Sequence, residues 1–160
     1  MANPALPQVA VHHFSVSVPD LEAAIGWYGD IFGFAIESRF EIASLKAKAA
    51  FLKLGDLRVE LWQVNGAEPV PQSRREPNSD LRTAGTKHVA FVVTDLQGHL
   101  VELVKRGVDI AAVQRHPAEP MLPDPDPAAP GKQPAFAAFI RDPAGTLIEL
   151  IDRSRSANAH

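Results

Sequence analysis

Cysteine is absent from this 160-residue chain. The fold therefore cannot lean on disulfides, no thiolate can serve as nucleophile or ligand, and any metal must be held by nitrogen and oxygen. Long apolar runs are missing too: no uninterrupted segment is long enough to span a bilayer, and Met1 to Val9 contains no cationic stretch leading into an apolar one. Charge of one sign is scarce. The 16 Lys and Arg are scattered among 19 Asp and Glu for a formal net charge of −3, which gives no electrostatic reason to expect nucleic acid or an anionic membrane as partner. Together these absences predict a cytoplasmic protein whose partner is a small molecule.

What is present is a repeat. A chain of 17.3 kDa with an ordinary 46% of hydrophobic residues suits one compact domain or two half-size units sharing a core. Aligned with itself, the segment His13-Phe14-Ser15-Val16-Ser17-Val18-Pro19-Asp20-Leu21 matches His88-Val89-Ala90-Phe91-Val92-Val93-Thr94-Asp95-Leu96 without a gap, with His, Asp and Leu in register. In the first copy Phe14, Val16 and Val18 alternate with His13, Ser15 and Ser17, the period of a strand with one polar face, which carries His13. His12 then belongs to the opposite face. Asp20 stands at an N-cap, Leu21, Ala24, Ile25, Tyr28 and Phe32 form a helical stripe, and Gly33 ends it. The second copy repeats this with Asp95 as cap, Leu96, Leu100, Leu103 and Val104 as stripe and Gly107 as stop.

Further strands are expected at 35–40, 49–54 and 57–64, and again at 109–114, 135–140 and 147–152. Turns at Gly55-Asp56 and Asp142-Pro143-Ala144-Gly145 separate the last two of each set. The chain reads as an α+β protein made of two tandem β-α-β-β-β modules. Residues 1–10 form an N-terminal extension, module one covers 11–65, a polar linker with Pro69, Pro71 and Pro77 covers 66–85, module two covers 86–152, and 153–160 is a disordered tail. Between Pro117 and Pro134 seven prolines exclude helix and central strand. That stretch is either a solvated extended loop or a lid, since long structureless loops inside compact domains are often functional.

Inside the last strand of each module a glutamate interrupts an apolar run: Arg58-Val59-Glu60-Leu61-Trp62 and Leu147-Ile148-Glu149-Leu150-Ile151. A lone carboxylate there costs several kcal/mol unless something replaces its lost hydration. A metal ion would do so, and His13 and His88, at matching positions, could give imidazole nitrogens to the same ion. Taken singly, a histidine at a strand start is more often a satisfied half-buried residue, and a strand glutamate more often lies on a wet face. Repetition changes the weighing, because two equivalent His and two equivalent Glu are what pseudo-twofold packing needs to bring four ligands to one centre. His99, on the second helix, His116, beside the proline-rich stretch, and His160, in the tail, are expected to have no metal role.

These motifs carry a resemblance. His13 with Val18-Pro19-Asp20-Leu21, Tyr28 with Gly33, Val59-Glu60-Leu61, His88 with Val93-Thr94-Asp95-Leu96, and Asp142-Pro143-Ala144-Gly145 with Ile148-Glu149-Leu150 make the chain, from about Val11 to Asp152, similar to the vicinal oxygen chelate superfamily of glyoxalases, epimerases, extradiol dioxygenases and bleomycin-resistance proteins. The resemblance implies a curved, cup-shaped mixed sheet with helices outside and one divalent ion (Ni, Co, Zn, Mn, Mg or Fe) at His13, Glu60, His88 and Glu149. It also implies a homodimer and a substrate with two adjacent oxygens. Glutamate at the second ligand position, Glu60, fits the glyoxalase I and methylmalonyl-CoA epimerase branch, whereas ring-cleaving dioxygenases use two histidines and one glutamate. The tyrosine those enzymes place by the metal is also missing, since the one tyrosine, Tyr28, falls on a helix. The expected activity is that of a metal-dependent lyase or isomerase acting through an enediolate or enolate, with Glu149 and Glu60 as catalytic carboxylates and no choice between them as base. The alternatives are a ring-cleaving non-haem iron dioxygenase and a non-catalytic binding or resistance protein. Arg39, Lys46, Lys48 and Arg141 form no recognisable anion-binding motif, and each reads as a solvated surface charge.

Overall fold

The computed structural model describes Ala5 and residues 9–156, and the chain divides into two units, 1–67 and 68–160. In the first unit β1 (Phe14–Ser17) leads into α1 (Leu21–Phe32), followed by β2 (Ala35–Ile42), β3 (Ala47–Leu54) and β4 (Leu57–Val64). The strands form one four-stranded sheet in the order β1-β4-β3-β2, parallel between β1 and β4 and antiparallel elsewhere. Why α1 begins where it does is local. Asp20 Oδ1 accepts from Ala23 N at 3.0 Å, and Gln63 Oε1, on β4, accepts from Leu21 N at 2.8 Å, so two of the first-turn donors are satisfied. Gly33 closes the helix at φ +82°, a left-handed conformation that glycine adopts without strain.

Alternation in β4 decides which side of the sheet does what. Val59 and Leu61 are fully buried and share a core with Leu21, Ala24, Tyr28, Ala50 and Leu52, while Glu60 between them faces the other way and is only partly covered. The first hairpin is longer than the sequence pattern predicts. A 3₁₀ turn at Ala43–Leu45, with Lys46 at φ +49°, lets β2 continue to Ile42 and β3 start at Ala47.

The second unit opens with a short helix, α2 (Gln72–Arg75), and then repeats the plan: β5 (Val89–Val93), α3 (Leu96–Lys105), β6 (Asp109–Gln114), β7 (Ala137–Arg141) and β8 (Leu147–Asp152). Its sheet order is β5-β8-β7-β6, again parallel only between the outer first strand and the last. The helix caps repeat as well. Asp95 Oδ1 accepts from Gly98 N at 3.1 Å, and Asp152 Oδ2, on β8, accepts from Leu96 N at 2.8 Å. β7 starts at Ala137, two residues later than expected; the amide of Ala135 is spent instead on Gln97 Oε1.

The linker and the start of the tail are both ordered. The linker docks on its own unit: Arg141 Nε donates to Arg75 O at 2.7 Å, Arg141 Nη2 pairs with Glu76 at 3.0 Å, and the Arg75 guanidinium lies over Gly145. Arg141 is thus a structural cation rather than a solvated one, its side chain 12% exposed. The tail is not disordered throughout, because Arg153–Ser156 form a helical turn, α4, whose Ser154 N and Oγ donate to Asp152 Oδ1. Residues 157–160, His160 among them, lie outside the described part of the chain.

Candidate metal centre

Each unit brings one His and one Glu of the expected set together. In the first, Ser15 pairs with Glu60 across β1 and β4, and His13, just ahead of β1, reaches the same face: His13 Nε2 lies 3.5 Å from Glu60 Oε2. In the second, Ala90 pairs with Glu149 across β5 and β8, and His88 Nε2 lies 3.1 Å from Glu149 Oε2. The glutamate side chains are 14% and 19% exposed and the histidines 34% and 32%, so the carboxylates sit deeper and the imidazoles at the rim. Among the described residues no group of three or more His, Asp or Glu is gathered as a ligand cluster; the donors stand as two pairs.

The donor chemistry fits a divalent ion. Two ligand atoms about 2.1 Å from one ion, at angles from octahedral to tetrahedral, lie roughly 3.0–3.4 Å apart, close to the 3.5 and 3.1 Å found within the pairs. Imidazole nitrogen with carboxylate oxygen suits Zn, Mn, Co, Ni, Mg or Fe rather than a thiophilic metal.

Sequence reasoning missed the floor of each pair. Phe51 stands opposite Glu60 on β3, and Phe139 opposite Glu149 on β7, so both rings share the glutamate's face. Phe51 meets His13 edge-on at 5.2 Å and Phe139 meets His88 at 4.9 Å. The first unit extends this surface with Phe40, 5.9 Å from Phe51 and 5.3 Å from Trp62. The signal was in the chain: each module has a phenylalanine in the strand before its glutamate. Only strand register shows that the two meet.

His12 departs from expectation. It precedes β1, and its Nδ1 turns to within 2.8 Å of His13 Nδ1, because the extended alternation that would put it on the far face starts only at Phe14. Tyr28 is where the sequence puts it, on α1, wholly buried against Phe34 and away from the Glu60 face.

The proline-rich stretch is neither a free extended loop nor detached from the sheet. Arg115 sits inside it, donating to Asp124 Oδ2 at 2.7 Å, to Pro127 O at 3.3 Å and to the carbonyl of Gln133, while Lys132 Nζ reaches Asp124 Oδ1 at 2.6 Å. Burial works to raise the Asp124 carboxyl, but Lys132 and Arg115 outweigh it and pull it from 3.8 to about 2. So held, the loop bridges Leu122 to Val113 on β6 and lays Met121 on Ala111, Phe139 and Leu147. Met121 thus shares Phe139 with His88. Ser73, Arg74, Asn78, Asp80 and Lys87 join His88 in lining a shallow surface pocket.

The Glyoxalase/Bleomycin resistance protein/Dioxygenase superfamily profile matches residues 12–121, and the chain belongs to that superfamily. Among characterised proteins it is similar to mitochondrial methylmalonyl-CoA epimerase of Mus musculus, 24% identical over 144 residues that cover 88% of this chain and 71% of the epimerase. The Homo sapiens epimerase is 22% identical over 98 residues, 61% of this chain and 54% of that protein. Solved structures share the fold. The trypanothione-dependent glyoxalase I of Leishmania major superposes with a TM-score of 0.65 at 20% identity, covering 95% of this chain and 92% of that one. A fosfomycin resistance protein of Listeria monocytogenes, complexed with Mn(II), gives 0.57 at 14% identity, covering 89% and 91%.

Proposed function

We propose that the protein is a metal-dependent lyase or isomerase of the glyoxalase I or epimerase kind, acting on a small carbonyl compound, with His13, Glu60, His88 and Glu149 as ligands of one divalent ion. The observation that carries this reading is the pairing itself: in both units an imidazole nitrogen and a carboxylate oxygen lie at ligand-to-ligand distance on one sheet face. Glutamate in both pairs, rather than in one, favours proton transfer over oxygen chemistry.

A bound divalent ion would supply Lewis acidity, drawing charge onto a substrate carbonyl oxygen and making the neighbouring C–H acidic. The chain's residues do the rest. His13 and His88 would hold the ion through imidazole nitrogens. A carboxylate oxygen of Glu149 or Glu60 takes the proton from carbon, forming an O–H bond while the C–H pair becomes a C=C bond and the carbonyl π pair moves to oxygen, and later returns it. Phe51, Phe139 and Met121 keep water from that carbon by presenting apolar surface beside the pairs. Homodimer assembly belongs to the same reading, and sedimentation tests it.

Elemental analysis and Co²⁺ titration of the purified chain, followed by incubation with methylmalonyl-CoA in D₂O, test the proposal. The expected result is one ion per chain and deuterium uptake at the carbon beside the carbonyl, lost in Glu60→Gln or Glu149→Gln. A glutamine variant that keeps its ion but not the exchange marks the base. A chain that takes up no divalent ion overturns the reading.

A further inference from the structure

The two His–Glu pairs are alike in position and unlike in support. Ser15 stands opposite Glu60 in the parallel β1–β4 ladder and donates from Oγ to Glu60 Oε2 at 2.9 Å. Ala90 stands opposite Glu149 in the parallel β5–β8 ladder, and its methyl group can donate nothing. One residue before each histidine the contrast recurs. His12 Nδ1 is 2.8 Å from His13 Nδ1, with His13 Nε2 left facing Glu60. The residue before His88 is Lys87, whose ammonium donates to the Asp80 carboxylate and carbonyl and to the Thr83 carbonyl, so it is occupied elsewhere. The edge-on phenylalanine is common to both pairs and does not distinguish them.

Hydrogen bonds of this kind have a known effect on ligands. An outer partner on the second ring nitrogen sets an imidazole's tautomer and orientation, and a donor on a carboxylate fixes its rotamer, so less freedom is lost on binding. If His13 ligates through Nε2, its Nδ1 carries the proton and donates to His12 Nδ1. From this asymmetry we infer that Ser15 and His12 are positioning residues that preform the first pair, whereas the second pair, packed on Phe139, has no counterpart of either one. The inference rests on the metal-ligand reading above.

Calorimetric titration of the metal-free full-length protein with Co²⁺, together with the visible absorption of the Co²⁺ form, separates the two. Ser15→Ala and His12→Phe are expected to weaken Co²⁺ binding by roughly ten- to a hundredfold, and His12→Phe to alter the Co²⁺ absorption bands. Ser15→Thr, which keeps the hydroxyl, should restore the parent affinity, and Ala90→Ser, which gives Glu149 the missing donor, should tighten binding. Thermal melts of the metal-free variants check that each folds. A parent protein that binds no Co²⁺ overturns the metal reading and this inference with it. A parent that binds, beside Ser15→Ala and His12→Phe variants that bind equally well, overturns the positioning role alone; Ser15→Thr behaving as Ser15→Ala overturns the part assigned to the hydroxyl.

Discussion

Glu60 and Glu149 each interrupt an apolar strand, and in both units the interruption is answered by a histidine from the neighbouring parallel strand's leading end. That arrangement separates ligand loss from fold loss. Glu60→Gln keeps the side chain's volume and removes its charge, so metal affinity should fall while the metal-free melting curve hardly moves; calorimetry with Co²⁺ and circular dichroism read the two independently. Gly145 gives the opposite case, a residue whose role is purely steric. Its φ of +91° is one that L side chains rarely adopt, and an added Cβ would come within 2.7 Å of the Arg75 guanidinium. Gly145→Ala is expected to destabilise the protein by about 1–3 kcal/mol, measured by urea unfolding, because it strains the β7–β8 turn and makes the Arg75 side chain shift.

Among the elements, the 115–134 loop shows how charge can order a segment that has no regular hydrogen bonding. Its centre is Asp124, gripped by Arg115 and Lys132 and pulled to about 2. A carboxyl whose folded value lies below its free value stabilises the folded state above the free value and loses that contribution as pH falls through the folded one. The loop's grip should therefore be complete above the ordinary 3.8 and fade toward about 2. Amide exchange at Leu122 and Ala129 should rise over that window, and Asp124→Asn should show the faster exchange already at neutral pH. The helix starts are a second element-level device. Gln63 and Asp152, each three residues beyond a site glutamate, accept from the first amides of α1 and α3. Burial works against the Asp152 carboxylate, but Ser154 and Leu96 outweigh it and hold its pKa below the ordinary value. Each last strand thus both caps its helix and carries its site carboxylate.

For the molecule as a whole, binding to the folded state alone adds to its stability by mass action. Free Co²⁺ at about a hundred times its dissociation constant should raise unfolding free energy by about 2.7 kcal/mol. A calorimetric scan with and without chelator reads this as a rise in melting temperature that Glu149→Gln reduces. Among the described residues no helix is long and apolar enough to cross a membrane.

The repeat, the helix caps, the strand alternation and the matching places of His13 and His88 and of Glu60 and Glu149 were legible in the chain itself, because they depend on periods of two and 3.6 residues and on local capping chemistry. Tyr28's burial on α1 followed from the same stripe. Strand register was not legible, and with it the pairing of Phe51 with Glu60, of Phe139 with Glu149, and of a hydroxyl at Ser15 with Glu60 but only a methyl group at Ala90 with Glu149. Nor was the order of the linker and the proline-rich loop, since Arg141 and Arg115 look like any surface cation until their partners, 66 residues away at Arg75 and nine away at Asp124, are brought beside them. Local periodicity placed each glutamate on the polar face of its strand; only tertiary contact decided which neighbours meet it there.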